Sequence, residues 1–427
     1  MAREMKDSGI EWIDIIPETW KVNTIFQLFK QVKNKNEGLI ETNLLSLSYG
    51  KIKRKNIETV SGLLPDSFDG YNIIEKDDIV IRLTDLQNDQ KSLRVGLANE
   101  RGIVTSAYIT IRSISNNNPE YLYYYLHTFD VAKGFYGMGA GVRQGLNWNG
   151  LKHLQITIPP LAEQNRIADF LDRKCAEIDR VLEKTRASIE EYKKLKQSVI
   201  TQAVTKGVRG EREMKDSGIE WFRQIPVDVN ISRVGYYYNV ILGKMICSQP
   251  QEGMTEYPYF CAANIHYSGI DYYNLKRMWF SSNEIETYAV RNGDLLVVEG
   301  GAGAGGCAIV KECNEVVGIQ NSIQIVRPKH NHDIRYLAYL IQLLVKSQYI
   351  DVVCNKATIP HFTKDKLLTM PYLVFPINEQ QEICNYLDKK CSEIDTLISK
   401  KEQFITELES YKKSLIYEYV TGKKEVQ

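Results

Sequence analysis

Two glycine-rich segments of this chain match motifs that other proteins use for cofactor chemistry. Residues 301–306 read GAGAGG and satisfy G-x-G-x-x-G, and residues 135–139 read FYGMG, the F-x-G-x-G pattern of S-adenosylmethionine-dependent methyltransferases. A dinucleotide site needs a helix after its glycines, because the pyrophosphate binds the helix N-terminus. The residues after Gly306 read CAIV, which predicts a strand, so we interpret the first segment as a hairpin tip. Methyl transfer to an exocyclic amine would also need an (Asn/Asp)-Pro-Pro-(Tyr/Phe) loop, which the sequence lacks.

The other common catalytic and metal-binding patterns are missing from the sequence. There is no G-x-x-x-x-G-K-[ST], so we expect no P-loop, and the six His and eight Cys show no spacing typical of zinc ligands. Residues 65–66 together with residues 89–91 imitate a nuclease metal site only loosely. These patterns therefore assign no catalytic residue, no metal ligand and no cofactor to this chain.

Composition narrows the class of protein further. A length of 427 residues predicts two or three domains, and 43% hydrophobic residues can build real cores. The sequence has no apolar run of about 18 residues and its N-terminus is charged, so we expect neither a membrane span nor a secretion signal. Cysteines without a C-x-x-C pair predict reduced thiols and a cytoplasmic location. With a net charge of +1, DNA binding must depend on where the charges are placed.

Polar and basic segments are the candidates for DNA contacts. Residues 51–55 (KIKRK) suit phosphates, although a solvated turn explains them equally well. Residues 82–94 form a polar hairpin tip whose Arg, Gln and Asn side chains can pair with guanine and adenine edges. Residues 139–144 and 356–361 occupy equivalent late positions in the two halves, and the glycine tip permits close approach of the backbone. The candidates are Lys51, Lys53, Arg54, Lys55, Arg82, Thr84, Gln87, Asn88, Gln90, Arg94, Arg143, Gln144, Gly303, Gly305, Lys356, Thr358 and His361.

The elements that must position these residues are duplicated. Residues 5–12 and 214–221 both read MKDSGIEW, and residues 158–179 recur in a similar form at 374–395. Between these matched ends the two halves differ, although each reads as mixed α/β with many short strands. One scaffold therefore presents two different recognition surfaces.

Each repeat continues into a helix with a sustained heptad pattern. From Leu171 and from Leu387, eight of ten positions at alternating spacings of 4 and 3 are apolar, which is typical of a coiled coil. A helix over 163–205 would be roughly 65 Å long. We expect the two helices to pair antiparallel within the chain, with the termini close together; pairing between two copies is the alternative. The main seam residues are Leu171, Ile178, Leu182, Ile189, Leu387, Ile394, Ile398 and Ile405.

The duplicated frame resembles the specificity (S) subunit of type I restriction–modification systems. Besides MKDSGIEW, the resemblance rests on PPLAEQ and FPINEQ before the helices and on LDRKCAEID and LDKKCSEID within them, and it covers essentially the whole chain. It implies two mixed α/β target recognition domains joined by two long antiparallel coiled-coil helices as a pseudo-two-fold repeat. The expected domains are the first recognition domain at 1–158, the first helix at 159–207, the second recognition domain at 208–374 and the second helix at 375–427.

The resemblance also implies a division of labour in which this chain is not an enzyme but the DNA-recognition subunit. Each domain would read one half of a split double-stranded DNA target, and the coiled coil would set the number of unread base pairs between the halves. Two modification (methyltransferase) subunits would carry S-adenosylmethionine, and restriction (ATP-dependent nuclease) subunits would carry ATP and Mg. Two alternatives stay open at this point: a self-sufficient adenine methyltransferase with a fused recognition domain, and a coiled-coil scaffold that does not bind DNA.

Overall fold

The structure is a computed structural model that describes residues 3–55, 67–87, 89, 91–138, 145–250, 252–301, 303–354 and 360–426. The chain forms two compact units. The first comprises 1–186 and 402–427, and the second comprises 187–401, so each unit contains part of both long helices. Among the described residues, no helix has the length and apolar character needed to cross a bilayer.

The first unit begins with short strands and ends in the first long helix. Its helices are α1 (Ile25–Leu28), α2 (Pro119–Val131), α3 (Trp148–Leu151) and the beginning of α4 (Leu161–Lys206). Its strands are β1 (Met5–Asp7), β2 (Ile15–Pro17), β3 (Lys21–Thr24), β4 (Phe29–Val32), β5 (Leu45–Ser48), β6 (Lys51–Arg54), β7 (Asn72–Ile74), β8 (Ile79–Ile81), β9 (Val95–Leu97), β10 (Gly102–Val104), β11 (Ile109–Ser113) and β12 (Gln155–Ile158).

The second unit repeats this order of elements with insertions. Its helices are α5 (Val234–Tyr237), α6 (Ser282–Tyr288), α7 (Ile334–Lys346), α8 (Tyr349–Val353), α9 (Lys364–Thr369) and the beginning of α10 (Ile377–Val420). Its strands are β13 (Met214–Asp216), β14 (Gln224–Pro226), β15 (Asn230–Arg233), β16 (Tyr238–Leu242), β17 (Met254–Phe260), β18 (Ile265–His266), β19 (Gly269–Ile270), β20 (Lys276–Ser281), β21 (Leu295–Val298), β22 (Cys307–Ile309), β23 (Gly318–Ile319), β24 (Ile323–Pro328) and β25 (Pro371–Val374).

One four-stranded antiparallel sheet lies at the centre of each unit. The strand order is β4-β11-β8-β9 in the first unit and β16-β24-β21-β22 in the second. An equivalent ion pair joins neighbouring strands in both: Arg112 Nε donates to Asp78 at 2.6 Å, and Arg327 Nε donates to Asp294 at 2.7 Å. Because both carboxylates are buried, each depends on its arginine for compensation. The shared topology predicted for the two halves is confirmed.

The long helices bury their predicted seams. Leu171, Ile178 and Leu182 of α4 belong to the same core as Leu415 and Ile416 of α10 in the first unit. In the second unit, the core joins residues 200–204 of α4 to Leu387 and Cys391 of α10. The start of each helix thus packs against the end of the other, which is the antiparallel pairing expected from the sequence. Ile189 and Ile394 are also buried, whereas Ile398 and Ile405 are half-buried.

Two lysines in the seam form equivalent ion pairs across the helices. Lys412 Nζ lies 2.6 Å from Asp179 in the first unit, and Lys196 Nζ lies 2.7 Å from Asp395 in the second. A cation placed among apolar seam residues weakens packing but selects the register in which its partner is within reach. These pairs explain one of the two interruptions of the heptad pattern that the helices share, the one at Lys196 and Lys412.

Reversing the charge of Lys412 should measure this register effect. We expect Lys412→Glu to lower the free energy of unfolding by about 0.5–1 kcal/mol, because a partly exposed pair is lost and two like charges are brought together. The double variant Lys412→Glu with Asp179→Lys should recover most of that loss in urea denaturation. Equal losses in the single and double variants would contradict a specific pair.

The beginning of the chain packs on the end of α10. Lys423 Nζ donates to the carbonyl of Ile13 at 2.7 Å, and the ring centroids of Trp12 and Tyr417 are 6.2 Å apart. The corresponding segment of the second repeat follows α4 directly in the sequence, with Arg212 paired to Glu379 of α10. The expectation that the two ends of the chain lie close together is therefore confirmed.

Candidate nucleic-acid interface

The buried position of Arg94 contradicts one of the predicted DNA contacts. Its side chain is fully buried, and its guanidinium donates to the carbonyls of Arg82 at 3.2 Å, Thr84 at 2.9 Å and Asp89, and to the hydroxyl of Tyr136 at 3.1 Å. These carbonyls belong to the loop between β8 and β9, so the guanidinium holds the loop together from inside. The prediction that Arg94 contacts DNA is wrong, because its hydrogen bonds are already made within the unit.

A buried carboxylate adjoins this arginine. Asp130 Oδ2 accepts a hydrogen bond of 2.6 Å from the backbone N–H of Arg94, while Asp130 Oδ1 is buried and has no partner among the residues whose structure is described. Burial raises the pKa of Asp130 to about 6, against the opposing effect of the Arg94 hydrogen bond. The charged form of this group is therefore less favourable in the folded protein than in water.

The raised pKa gives a pH-dependent prediction for Asp130→Asn. A carboxyl group whose folded pKa lies above its unfolded value contributes stability below about pH 4, which is lost as the pH rises through about 6. We expect the substitution to raise the free energy of unfolding by about 1–2 kcal/mol at neutral pH and to have little effect near pH 4. Urea denaturation at both pH values tests this. A loss of stability at neutral pH would contradict it.

The other described candidates of the loop are accessible to different extents. Thr84 and Gln87 are exposed. Arg82 is partly buried, and its Nη1 lies 3.5 Å from Asp89 Oδ2, so binding to DNA would exchange this pair for a new one. These three stay predictions, and Asn88 and Gln90 lie outside the described residues.

The basic segment forms a strand rather than a turn. Lys51–Arg54 is β6, which pairs with β5 in an antiparallel hairpin. Lys53 and Lys55 are exposed, whereas Arg54 donates to both carboxylate oxygens of Glu100 and Lys51 Nζ lies 3.3 Å from Asp179 of α4. Because these residues form a strand, the alternative interpretation of the segment as a solvated turn is excluded. Contact of the strand with DNA phosphates stays a prediction.

The glycine-rich segment connects β21 to β22, as the hairpin interpretation predicted. Gly303 is exposed and stays a candidate for close approach of DNA. Gly305 is buried with φ +80°, and a Cβ at this position would lie 2.6 Å from Val345 Cγ2. The prediction that Gly305 contacts DNA is wrong, because its close backbone approach is made to α7 and α8 of its own unit.

The late segment of the second unit meets the sheet beside the glycine-rich turn. His361 is exposed and bridges to Gly300, and a Cβ on Gly300 would lie 2.9 Å from the His361 ring. The structure thus brings His361 to the glycine-rich turn, a proximity that the sequence did not indicate. Arg143, Gln144, Lys356 and Thr358 lie outside the described residues.

Sequence reasoning missed the junction that fixes each recognition domain to its long helix. In the first unit, Gln164 Oε1 accepts from the backbone of Asn118, the N-cap of α2, at 2.9 Å, and Tyr124 donates to Asp172 at 2.6 Å. The second unit repeats both contacts. Gln380 Oε1 accepts from the backbone of Asp333, the N-cap of α7, at 3.0 Å, and Tyr339 donates to Asp388 at 2.7 Å. The sequence feature that could have indicated this junction is the Glu-Gln pair at the start of both helices, at 163–164 and 379–380.

The glutamate of each pair binds the segment that enters its unit. Glu163 is buried and accepts from Arg3 at 2.6 Å and from Trp20 Nε1 at 3.1 Å. Glu379 is buried and pairs with Arg212. Charge-assisted hydrogen bonds between buried groups set position as well as stability. Each domain is therefore held on its helix by a polar junction that is repeated in the two units.

Comparison with known proteins assigns this duplicated arrangement to a class. The model of the family "type I restriction modification DNA specificity domain" matches the chain twice, over residues 17–191 and 226–407. Because the two matches cover most of the chain, the protein belongs to this family. It is a non-catalytic DNA-recognition subunit of a type I restriction–modification system, and neither the enzyme nor the scaffold alternative finds support.

Individual relatives agree with this assignment. The chain is 25% identical over 428 residues to the specificity subunit named for the type I restriction enzyme MjaX of Methanocaldococcus jannaschii, covering 96% of this chain and 95% of the relative. A chain from a structural study of complex assembly in a type I R-M system aligns with a TM-score of 0.71, covering 96% and 99%. The HsdS subunit of Thermoanaerobacter tengcongensis aligns with a TM-score of 0.53, covering 96% and 98%. Both structures are 16% identical to this chain and share its fold.

Proposed function

We propose that the chain reads a split DNA sequence, with one half-site bound by each unit. The observation that carries the proposal is the family match that occurs twice, each time on the same sheet order with different side chains at the loops. A fold used twice with different surface residues suits two different sequences better than one palindromic sequence. The loop of residues 82–87 and the turn around Gly303 are the surfaces proposed to face bases.

The paired helices are proposed to set the spacing between the half-sites. Each helix exceeds 40 residues and runs from a junction in one unit into the other unit. The buried seam and the equivalent pairs Lys412–Asp179 and Lys196–Asp395 favour one register, and a fixed register favours a fixed gap. A variable register would allow a variable gap, which a split recognition sequence does not tolerate.

The chain is proposed to work only within an assembly. Two modification subunits would bind S-adenosylmethionine and methylate adenine, and restriction subunits would bind ATP and Mg and cleave DNA, while this chain supplies no cofactor. Exposed apolar side chains on both long helices support the docking of partner subunits, since aromatic side chains are enriched in protein interfaces. They include Leu161, Val181, Leu195, Tyr386, Leu397, Phe404 and Tyr411.

The proposal is tested by co-expression with a cognate modification subunit, in a host free of DNA methylation. Mapping N6-methyladenine across the genome should return an asymmetric motif of two half-sites separated by a constant gap. The motif should disappear when this chain is omitted. A stable complex that leaves no motif, or one continuous motif without a gap, would contradict the split-target proposal.

A further inference from the structure

A carboxylate without a partner lies beside the glycine-rich turn of the second unit. The backbone of Glu299 continues the sheet beyond β21, with its N–H donating to Ser322 at 2.8 Å and its carbonyl accepting from Phe362 at 2.6 Å. The side chain is half-buried, and its Oε2 atom is buried and receives no hydrogen bond from any residue that the structure describes. An unsatisfied buried acceptor destabilises a protein, so its presence requires an explanation.

A second orphan oxygen lies in the neighbouring strand. Gln324 is fully buried and its Nε2 donates to the carbonyl of Phe362 at 2.6 Å, while its Oε1 has no partner within the described ranges of the chain. Gln324 pairs with Val297, two residues before Glu299. Since alternate residues of a strand lie on one face, Glu299 and Gln324 occupy the same face of the sheet and flank Phe362. Two acceptor oxygens thus lack donors in one small region.

The first unit shows that the fold does not need polar side chains there. Leu83 occupies the position of Glu299, because its carbonyl accepts from Leu146 at 3.0 Å as that of Glu299 accepts from Phe362. Ile109 occupies the position of Gln324, because it pairs with Ile81 as Gln324 pairs with Val297. Hydrocarbon fills both positions in the first unit. The polar pair is therefore a property of the second recognition surface and not of the scaffold.

We propose that Glu299 reads a base of the second half-site by accepting a hydrogen bond from an exocyclic amino group, that of cytosine N4 or adenine N6. This inference rests on the proposed function of the second unit as a DNA reader. Cytosine and adenine present these amino donors in the major groove, whereas guanine and thymine present acceptors at the corresponding edges. A carboxylate is repelled by those acceptors and by phosphates, so it adds discrimination rather than general affinity.

The surroundings of Glu299 suit this role. The exposed Gly303 belongs to the adjoining turn and leaves room for a close approach of DNA. Burial raises the pKa of Glu299, and the positive charge available to the neighbouring His361 opposes this rise. A carboxylate that has already lost water gives up less hydration when a base arrives. A base would reach this carboxylate through the exposed part of the half-buried side chain.

Two substitutions and a matched control separate a base contact from a structural role. Glu299→Leu installs the residue type that the first unit carries at this position, and Glu299→Gln keeps the shape and one acceptor while adding a donor. Glu312→Gln removes the same charge from an exposed glutamate of the same unit. Each variant is assembled with the modification subunit, and the complex is selected against DNA libraries randomised in either half-site. Melting temperatures of the variants are measured in parallel.

The wild-type complex should select cytosine or adenine at one position of the second half-site, and the base selected identifies the donor. Glu299→Leu should reduce that preference by about tenfold to a hundredfold, and Glu299→Gln should admit bases with acceptor edges. Glu312→Gln should behave as wild type, and neither variant of Glu299 should melt at a lower temperature. Unchanged preferences in both variants, equal losses in both half-sites, or a lowered melting temperature would overturn the inference. A wild-type complex that selects no split sequence would overturn the proposed function and this inference with it.

Discussion

Replacing Arg94 with methionine is expected to remove recognition of the first half-site while recognition of the second half-site persists. The buried guanidinium donates to four loop carbonyls and to Tyr136, and methionine fills similar volume without any donor. Leaving several buried carbonyls unsatisfied should cost about 3–5 kcal/mol in the first unit. The loop that carries Arg82, Thr84 and Gln87 would then lose its fixed conformation.

Arg101→Met is the matched control for Arg94→Met. Arg101 is an arginine of the same unit whose pairs with Glu41 at 3.0 Å and Glu75 at 2.7 Å lie at the surface, so its loss should cost less than about 1 kcal/mol. Competition binding of the assembled complex is measured against DNA scrambled in either half-site. The Arg94 variant should no longer distinguish intact DNA from DNA scrambled in the first half-site. Normal discrimination by Arg94→Met would show that the loop does not read DNA.

The elements that repeat in the sequence were predictable from it. Two copies of one motif establish equivalence without any knowledge of the fold, and a heptad pattern specifies both the helix and its buried face. The pairs Lys412–Asp179 and Lys196–Asp395 illustrate the limit of such reasoning. The sequence showed that both lysines interrupt the seam, but only the antiparallel pairing of the helices revealed which carboxylates form ion pairs with them.

The errors at Arg94 and Gly305 have a common physical cause. Side-chain chemistry indicates what a residue can bind, whereas burial depends on how the loop folds back on itself. Asp85 adopts φ +58°, a left-handed conformation within the loop that Arg94 holds from inside. An arginine in a polar loop therefore has two uses, contact with a phosphate or base and satisfaction of loop carbonyls, and local sequence does not distinguish them.

Glu299 shows the opposite case, a candidate that the sequence contained and motif matching overlooked. When the repeats are aligned through Asp78 and Asp294, Glu299 falls on Leu83. One repeat carries a charged residue where the other carries a buried leucine. This difference indicates a residue of the recognition surface, and it is visible without comparison with any other protein. Internal repeats thus supply their own reference for separating scaffold from surface, provided that the pairing of strands confirms the alignment.

Deleting one heptad from both long helices, residues 182–188 and 398–404, is expected to shorten the gap between the half-sites without changing either half-site. Both deletions preserve the phase of the seam, and the pairs Lys412–Asp179 and Lys196–Asp395 remain in register because both helices lose the same length. Seven residues correspond to about 10 Å of helix, or about three base pairs of DNA. Methylation mapping of the assembled complex measures the gap directly.

The complex with the shortened helices should also bind its DNA target with lower affinity than the wild-type complex, for a geometric reason. One heptad of a coiled coil changes the orientation of its ends by only about 20°, whereas removing three base pairs rotates one half-site about the DNA axis by roughly 100°. The complex must twist the DNA or its own helices to bind both halves. Deleting only residues 182–188 is the control, since the two ion pairs can then no longer form in one register, and this deletion should abolish the motif. If the complex with both deletions still methylates sites that have the wild-type gap, the helices do not set the spacing.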